Sequence, residues 1–160
     1  MPDIPSDADV AAWRTFLTAH ARAVALIESD LEQKELIRLE WYDLLFAIQE
    51  APDHRLRMMD VADRLLLTRS NATRLVDRLE SVGLIKREQL DSDRRGMVAV
   101  LTASGREALR RAWPVYASGI SHYFLGLLSR DERRAVASAL AKVAQQAGPS
   151  QPASRRRMAR

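Results

Sequence analysis

Gly83 separates two kinds of hydrophobic pattern in the middle of the chain. Before it, residues 68–81 carry apolar side chains at the three- and four-residue spacing of an α-helix. After it, residues 84–89 and 97–101 indicate two short strands, and the charged segment 90–96 between them ends in a glycine. Glycine commonly ends a helix because it tolerates a positive φ. This part of the chain is therefore restricted to a helix followed directly by a β-hairpin.

Helical periodicity dominates the rest of the sequence. The predicted helices, including the one before Gly83, span residues 10–31, 39–49, 58–66, 68–81, 102–128 and 129–148. The third and fourth are joined by hardly any connection. Pro114 is expected to bend the fifth, and Ser129 with Glu132 forms a capping box at the start of the sixth. The fold class is thus predicted to be mostly α with one β-hairpin.

The composition limits the classes of protein to which the chain can belong. Its 160 residues, 47% of them hydrophobic, are enough for one domain with a buried core. The absence of cysteine excludes disulfide scaffolds, cysteine-ligated zinc and thiol nucleophiles. No apolar stretch reaches the ~18 residues that span a bilayer, and the acidic first segment lacks the features of a signal peptide. We therefore expect a cytoplasmic protein with no membrane contact.

Charge is distributed unevenly along the chain. Residues 1–54 hold 4 basic and 11 acidic side chains, residues 55–111 hold 13 and 8, and residues 112–160 hold 8 and 2. A basic middle is typical of a protein that binds a polyanion, although a solvated basic surface gives the same excess. The last segment, 148–160, has four arginines and no apolar periodicity, so a flexible basic tail is expected there.

The segment before Gly83 is amphipathic when it is drawn as a helix at about 100° per residue. The side predicted to be buried carries Ala72, Leu75, Val76, Leu79 and Val82. The opposite side, its flanks and the helix cap supply the predicted DNA contacts, which are Thr68, Arg69, Ser70, Asn71, Thr73, Arg74 and Arg78. Arginine can fork onto guanine edges in the major groove, while hydroxyl and amide side chains bind bases or phosphates. An ordinary amphipathic surface helix is the alternative.

The neighbours of this helix favour DNA binding. A short helix precedes it across a tight turn, which is a helix-turn-helix arrangement. The basic hairpin that follows is placed as a wing, and the negative potential of a narrow minor groove would attract Arg95. We expect Asp93 to orient the Arg95 guanidinium and Arg94 to contact phosphate. A local salt bridge between Asp93 and Arg95, worth less than about 1 kcal/mol, is the structural alternative and is compatible with the first interpretation.

The stretch 57–109 resembles the MarR family of winged helix-turn-helix regulators. The motifs that carry the resemblance are TRSNATRLVDRLE at 68–80, GLIKRE at 83–88 and DSDRRGMVAVLT at 91–102. The last motif contains Asp93-x-Arg95 and then an apolar run that ends in Leu101-Thr102, as in the family's wing. The order of the flanking helices extends the resemblance to about residues 10–146. It implies that residues 37–101 form the winged helix-turn-helix lobe of a regulator that binds specific sequences of double-stranded DNA.

The resemblance also implies a homodimer on a pseudo-palindromic operator, acting as a repressor that a ligand relieves. Residues 10–36 and 102–147 would then form a helical dimerisation region. Bulky apolar residues near both ends fit such an interface: Trp13, Phe16, Trp113, Tyr116, Tyr123, Phe124, Leu127 and Leu128. A monomeric helical core that uses the same residues is the alternative.

The effector that the resemblance implies is a small aromatic or phenolic acid, bound between the dimer helices and the DNA-binding lobe. The expected lining residues are Trp13, Arg14, His20, Tyr42 and Trp113. Packing in the core is the alternative role for each of them. No metal or other cofactor is expected, because the three histidines are scattered without an i,i+3 or i,i+4 ligand pair.

An enzyme and a purely structural helical module are the competing classes. The sequence has no Gly-x-Ser-x-Gly elbow and no glycine-rich phosphate loop, so no catalytic residue is predicted. Arginines next to Asp91 and Asp93 would keep both carboxylates ionised and make them poor acids. A structural module would explain the helices but would leave the arginine-tipped hairpin without a role.

Overall fold

The computed structural model describes residues 4–90 and 93–146, with the backbone alone for 93–95. The helices are α1 (Asp7–Gln33), α2 (Leu39–Glu50), α3 (Met58–Arg64), α4 (Arg69–Ser81), α5 (Ala103–Tyr123) and α6 (Arg130–Gln146). The strands are β1 (Arg55–Arg57), β2 (Ile85–Leu90) and β3 (Asp93–Leu101), and short 3₁₀ turns cover Pro52–His54 and Leu125–Leu127. The prediction of a mostly helical fold with one β-hairpin is confirmed. The predicted tail at 148–160 lies outside the described residues.

The hairpin is part of a three-stranded antiparallel sheet in the order β1-β3-β2. In this sheet, Arg55 of β1 pairs with Val100 of β3, and Arg57 pairs with Val98. The sequence did not predict β1, because a strand of three residues with a single apolar side chain shows no period. Pairing with β1 fastens the base of the hairpin to the segment that follows α2.

The third strand, β3, is longer than predicted. Leu90 pairs directly with Asp93, so strand pairing extends into the segment 90–96 that was expected to be a loop. An irregularity in the register lies between Gln89 and Leu90. The basic residues of the wing therefore lie at the start of a strand, rather than in a loop.

The long helix α5 ends before the predicted boundary at 128. Phe124 leaves the helical conformation with a φ of −133°, and the 3₁₀ turn follows. Arg133 of α6 holds this turn, since its Nε donates to the carbonyl oxygens of Leu125 at 2.9 Å and Leu128 at 3.0 Å. The turn thus replaces the last predicted helical residues with a connection that is bonded to α6.

The start of α6 has the predicted capping box. The Ser129 N–H donates to Glu132 Oε2 at 2.8 Å, and the Glu132 N–H donates to Ser129 Oγ at 3.3 Å. Pro114 lies inside α5, which continues beyond it to Tyr123.

The hydrophobic core is centred on the lobe formed by α2, α3, α4 and the sheet, and buried residues of α1 and α5 extend it. Leu44, Leu45 and Ile48 of α2 are completely buried, as are Val76 and Leu79 of α4. Burying each such side chain stabilises the fold by about 1.5–3 kcal/mol. Val61, Ile85 and Ala99 add to this core from α3 and the strands. The core therefore joins the helix-turn-helix pair to the base of the hairpin.

Two glycines allow α5 to pack closely against the turn between α4 and β2. Gly83 adopts a φ of +76°, and a Cβ on Gly105 would lie 2.1 Å from the carbonyl oxygen of Leu84. Thr102 completes the contact: its N–H donates to that same oxygen at 3.1 Å, and its Oγ lies 2.7 Å from the Gly83 carbonyl oxygen. We call this set of contacts (Gly83, Leu84, Thr102 and Gly105) the α5 joint, and it fixes α5 to the lobe.

The first and last helices bury little of their apolar surface. In α1 only Ile27 and Leu31 are buried, and no described residue of α6 is buried. Large apolar side chains of α1, α5, α6 and the 3₁₀ turn are exposed, among them Trp13, Phe16, Leu17, Leu26, Trp113, Phe124, Leu127, Leu140 and Val143. Within residues 4–90 and 93–146, no helix has the length and apolar character needed to cross a bilayer.

Candidate nucleic-acid interface

A helix-turn-helix pair is formed by α3 and α4. In the connection, Leu66 adopts a φ of 55°, and the Leu67 N–H donates to the Ala62 carbonyl oxygen at 2.8 Å, so the chain turns within a few residues. Thr68 caps α4, since its Oγ accepts from the Asn71 N–H at 3.2 Å. The predicted tight turn and the predicted cap are both confirmed.

The apolar face of α4 follows the prediction with one exception. Ala72, Leu75, Val76 and Leu79 are buried. Val82 was expected on the same face, but 53% of its surface is exposed. The prediction was wrong there because α4 ends at Ser81 and Val82 is the C-cap, so the helical projection does not extend to it.

The polar face of α4 presents side chains that are available for binding. Every predicted contact residue on this helix and its cap is exposed: Thr68, Arg69, Ser70, Asn71, Thr73, Arg74 and Arg78. Thr73 donates its hydroxyl hydrogen to the Arg69 carbonyl oxygen at 3.0 Å. In the described part of the chain, no side-chain hydrogen-bond or ion-pair partner is found for Arg69, Ser70, Asn71, Arg74 and Arg78. Three cationic and two neutral polar side chains are thus exposed without a partner there, and three of the five line a cleft that also contains Glu40 of α2.

The acidic residue on this face is neutralised by the hairpin. Asp77 and Glu80 form ion pairs with Arg87 of β2, and the Arg87 backbone N–H donates to Glu80 Oε1 at 3.0 Å. Partial burial alone would lower the pKa of Arg87, but its hydrogen bond with Asp77 and the charges of Glu80 and Asp77 raise that pKa above its usual value. These contacts leave the polar face of α4 basic, and they tie β2 to the last turns of α4.

The hairpin projects next to α4 from the three-stranded sheet. Glu88 of β2 forms an ion pair with Arg55 of β1 at 2.8 Å, which braces the base of the hairpin. The backbone places Asp93 at the start of β3. The side chains of Asp93, Arg94 and Arg95 lie outside the described residues, so the contacts expected of them stay predictions.

Two of the five residues predicted to line an effector cavity lie together. Tyr42 of α2 and Trp113 of α5 line a cavity of about 470 Å³. Trp13, Arg14 and His20 lie on the exposed first half of α1 and do not line this cavity in a single chain. The expected set is therefore divided between two places in the fold.

The same cavity contains two arginines that were not predicted. Arg106 and Arg110 of α5 line it together with Phe46, Gln49 and Leu109. Arg106 Nη1 donates to the Leu101 carbonyl oxygen at 3.1 Å, and Arg110 forms an ion pair with Glu107. The available signal was the spacing of Arg106, Arg110 and Trp113, which puts all three on one helical face. Cations beside aromatic rings make this cavity suited to a small aromatic anion.

A family model matches the helix-turn-helix region, and two relatives each match a little less than half of this chain. The model of the MarR family matches residues 36–96. YkoM of Bacillus subtilis (strain 168), described as an uncharacterized HTH-type transcriptional regulator, is 39% identical over 77 residues, which are 48% of this chain and 49% of YkoM. The transcriptional repressor MprA of Escherichia coli (strain K12) is 36% identical over 70 residues, which are 44% of this chain and 40% of MprA. The chain thus spans less than half the length of these two relatives.

Solved structures match almost the whole chain, and one of them was determined with DNA. Sco3205, a MarR family transcriptional regulator from Streptomyces coelicolor in complex with DNA, superposes with a TM-score of 0.85 and is 29% identical, covering 94% of each chain. The helices on both sides of the lobe are therefore shared, as well as the lobe itself. Members of the family are transcriptional regulators and not enzymes. By sequence over residues 36–96, and by fold over almost the whole chain, this protein is similar to the MarR family of winged helix-turn-helix regulators.

Proposed function

We propose that this chain is a homodimeric repressor that binds a pseudo-palindromic operator in double-stranded DNA and is released by a small aromatic or phenolic acid. The observation that carries the proposal is the polar face of α4, where Arg69, Arg74 and Arg78 have no partner within residues 4–90 and 93–146. The carboxylate on that face, Asp77, is already paired with Arg87. That Sco3205 was solved with DNA and that MprA is named a repressor support the same roles here.

The shape and charge of α4 suit the major groove of DNA. A helix fits that groove, and its N-terminus favours a nearby phosphate through its free N–H groups. Arg74 lies in the middle of the exposed face, where a guanidinium can fork onto a guanine edge. Arg69 and Arg78 lie towards the ends of the helix, where contacts with the phosphate backbone fix its register.

The hairpin supplies a second contact at the minor groove. In this proposal Arg95 enters the groove, Asp93 orients its guanidinium, and Arg94 binds phosphate. The ion pairs of Arg87 with α4 support this arrangement, because they keep the hairpin at a fixed distance from the helix. Helix and wing then meet adjacent grooves together.

A homodimer would cover the apolar surface that a single chain leaves exposed. Trp13 is 59%, Trp113 is 52% and Leu127 is 76% exposed, and large apolar patches of this kind commonly mark an interface. We propose residues 10–36 and 102–147 as the dimerisation region and residues 37–101 as the DNA-binding lobe. Two symmetric lobes would read half-sites about one helical turn of DNA apart.

The cavity between α2 and α5 is the proposed effector site. Arg106 and Arg110 supply positive charge for a carboxylate, and Tyr42, Phe46 and Trp113 supply aromatic faces for its ring. An effector that favours a different lobe spacing must weaken operator binding, and linkage requires the operator to weaken effector binding by the same factor.

Selection of DNA from a random pool, followed by titration of the selected sequence, tests the DNA-binding proposal. Arg74→Ala is expected to weaken binding to that sequence by about 1–3 kcal/mol and to relax preference at one base position. Arg134→Ala on α6 also removes one exposed positive charge and should change affinity by less than about 0.5 kcal/mol.

Two outcomes would contradict this reading of α4. Equal loss on selected and random DNA would show that Arg74 binds only phosphate. A wild-type protein that enriches no sequence from the pool would overturn sequence-specific binding altogether.

A further inference from the structure

The first turns of α5 belong to two structures at once. Arg106 and Arg110 line the cavity, and Thr102 and Gly105, just before them, fasten α5 to the lobe through the α5 joint. The Gly105 N–H donates to Thr102 Oγ at 3.0 Å, so the joint also caps the helix. A change in the position of the cavity-lining residues can therefore alter the contacts of the α5 joint, because the two sets of residues are neighbours at the start of α5.

Arg106 makes the link between them. Its side chain lines the cavity, and its Nη1 donates to the carbonyl oxygen of Leu101, the last residue of β3. Leu101 itself is buried and pairs with Ile85 of β2, at the base of the hairpin. One guanidinium thus contacts both the effector cavity and the root of the wing.

We propose that Arg106 couples the cavity to the wing. Its guanidinium holds the base of β3 to α5 in the ligand-free protein, and an anionic ligand in the cavity draws it away from the Leu101 carbonyl. A carboxylate competes effectively, because a hydrogen bond between two ionised groups is stronger than one with a neutral carbonyl. The inference rests on the proposed effector site and names how that site regulates DNA binding.

Loss of the bond to Leu101 changes how the lobe is held. Thr102 follows Leu101 directly, and its N–H bond to Leu84 is a neighbouring attachment between α5 and the lobe. When the Arg106 bond is released, the hydrogen bonds of the α5 joint break more often. The position of the hairpin relative to α4 then becomes more variable. DNA binding weakens, because helix and wing must reach adjacent grooves at a fixed spacing.

Arg110 provides a matched control within the same cavity. Its guanidinium donates to Glu107 from Nε at 2.7 Å and from Nη2 at 2.5 Å, and these are contacts within α5. Arg106→Met and Arg110→Met each remove one positive charge from the cavity and keep most of the aliphatic side chain. Only the first removes a bond to the lobe.

The first test uses the ligand-free, full-length protein. In Arg106→Met, amide hydrogen exchange at Thr102 and Gly105 is expected to be about fivefold faster, and the operator Kd to be about five- to tenfold higher. Arg111→Met removes one charge from an exposed position of α5 that does not line the cavity, and it is expected to stay within about twofold of wild type for both quantities. Thermal unfolding and light scattering are measured alongside, since coupling requires the affinity loss in a protein that keeps its fold and assembly.

The second test uses benzoate as the probe of the cavity. Benzoate that binds the wild-type protein, measured by calorimetry, should speed exchange at Thr102 and Gly105 and raise the operator Kd as Arg106→Met does. At saturating benzoate, Arg106→Met should show no further change, while Arg110→Met should need more benzoate and then respond fully.

Three results would overturn the proposal. The first is an Arg106→Met variant that matches Arg111→Met in ligand-free exchange and operator affinity. The second is weaker operator binding without faster exchange, which would mean that Arg106 contacts DNA itself. The third is bound benzoate that leaves exchange at the joint unchanged. If the wild-type protein binds no DNA, the proposed function fails. The difference in amide exchange between wild type and Arg106→Met would still show whether Arg106 stabilises the α5 joint.

Discussion

The lobe from α2 to β3 and the helix α6 use apolar side chains in opposite ways. In the lobe, Leu44, Leu45 and Ile48 are completely removed from solvent. In α6, Leu140 is 38% and Val143 is 63% exposed, and no described residue of the helix is buried. The lobe therefore completes its core within one chain, whereas α6 has an apolar face that a single chain leaves uncovered.

The largest effect is expected when a buried leucine in the core of the lobe is truncated. Leu44→Ala should lower the free energy of unfolding by about 2–5 kcal/mol, because a fully buried leucine is truncated. Since that core lies within one chain, the loss should be the same at low and high protein concentration. Leu140→Ala serves as the matched control, and its effect should depend on concentration. Chemical denaturation of both variants at two protein concentrations measures these losses. If the losses in Leu44→Ala and Leu140→Ala depended on protein concentration to the same extent, the difference proposed between the lobe and α6 would be wrong.

The next largest effect concerns the uncovered face of α6. The double variant Leu140→Asp/Val143→Asp should raise the dimer dissociation constant at least about a hundredfold, because two apolar contacts are replaced by charges. Far-ultraviolet circular dichroism should still show a folded lobe. Ser138→Asp/Gln145→Asp adds the same charge on the other side of α6 and should leave assembly unchanged. Light scattering of wild type at a single-chain mass of 18.0 kDa throughout would show that no dimer exists to disrupt.

The tip of the wing contributes neither to the core of the lobe nor to the apolar face of α6. Arg95→Ala should weaken operator binding by about 1–3 kcal/mol and reduce the salt dependence by about one unit, without changing the melting temperature. Asp93→Ala should produce part of that loss without removing positive charge, which separates orientation from attraction. Tighter binding by Asp93→Ala would refute the orienting role. If Arg95→Ala binds as wild type does, Arg94 becomes the residue to test.

The smallest effect concerns Asp43, where the lobe meets the long helices. Partial desolvation of the carboxyl, together with the nearby charge of Glu28, raises the pKa of Asp43, although the residue as a whole is exposed to solvent. The native state therefore keeps this proton more readily than the unfolded chain, so stability falls as pH rises from the unfolded pKa through the raised native pKa. Asp43→Asn should raise Tm by up to about 2 °C at pH 7, and the difference should vanish below about pH 3, where the carboxyl is protonated in both the native and the unfolded state. Asp63→Asn at an exposed site is the control, and a gain that persists in acid would contradict this origin.

Local pattern was enough to predict most of α4. Its buried side chains recur at helical spacing, and Thr68 has the chemistry of an N-cap, so both followed from neighbouring residues alone. Val82 was misplaced because periodicity does not show where a helix ends. The strand β1 was missed because it is formed by pairing with β3, and a tertiary contact of this kind cannot be predicted from three residues.

The cavity shows a different limit of sequence reasoning. Tyr42 and Trp113, two of the residues expected at an effector site, line one cavity, but Trp13, Arg14 and His20 do not line it in a single chain. Arg106 was missed, because its importance comes from the approach of α5 to the base of β3 and not from its neighbours in sequence. Chemistry that one helix displays can be read from the sequence, whereas chemistry assembled from two elements depends on how they pack.

The two glycines of the α5 joint set different limits on which residues can replace them. Gly83 has a positive φ but open space around the position of a Cβ, so asparagine or aspartate can replace it at a modest cost in backbone strain. Gly105 faces the Leu84 carbonyl at a distance that no other residue fits. A lineage that loses Gly105 must move α5 away from the lobe, and no second substitution on the surface restores the fit. Among descendants of this sequence that keep the joint, position 105 is therefore expected to remain glycine while position 83 drifts.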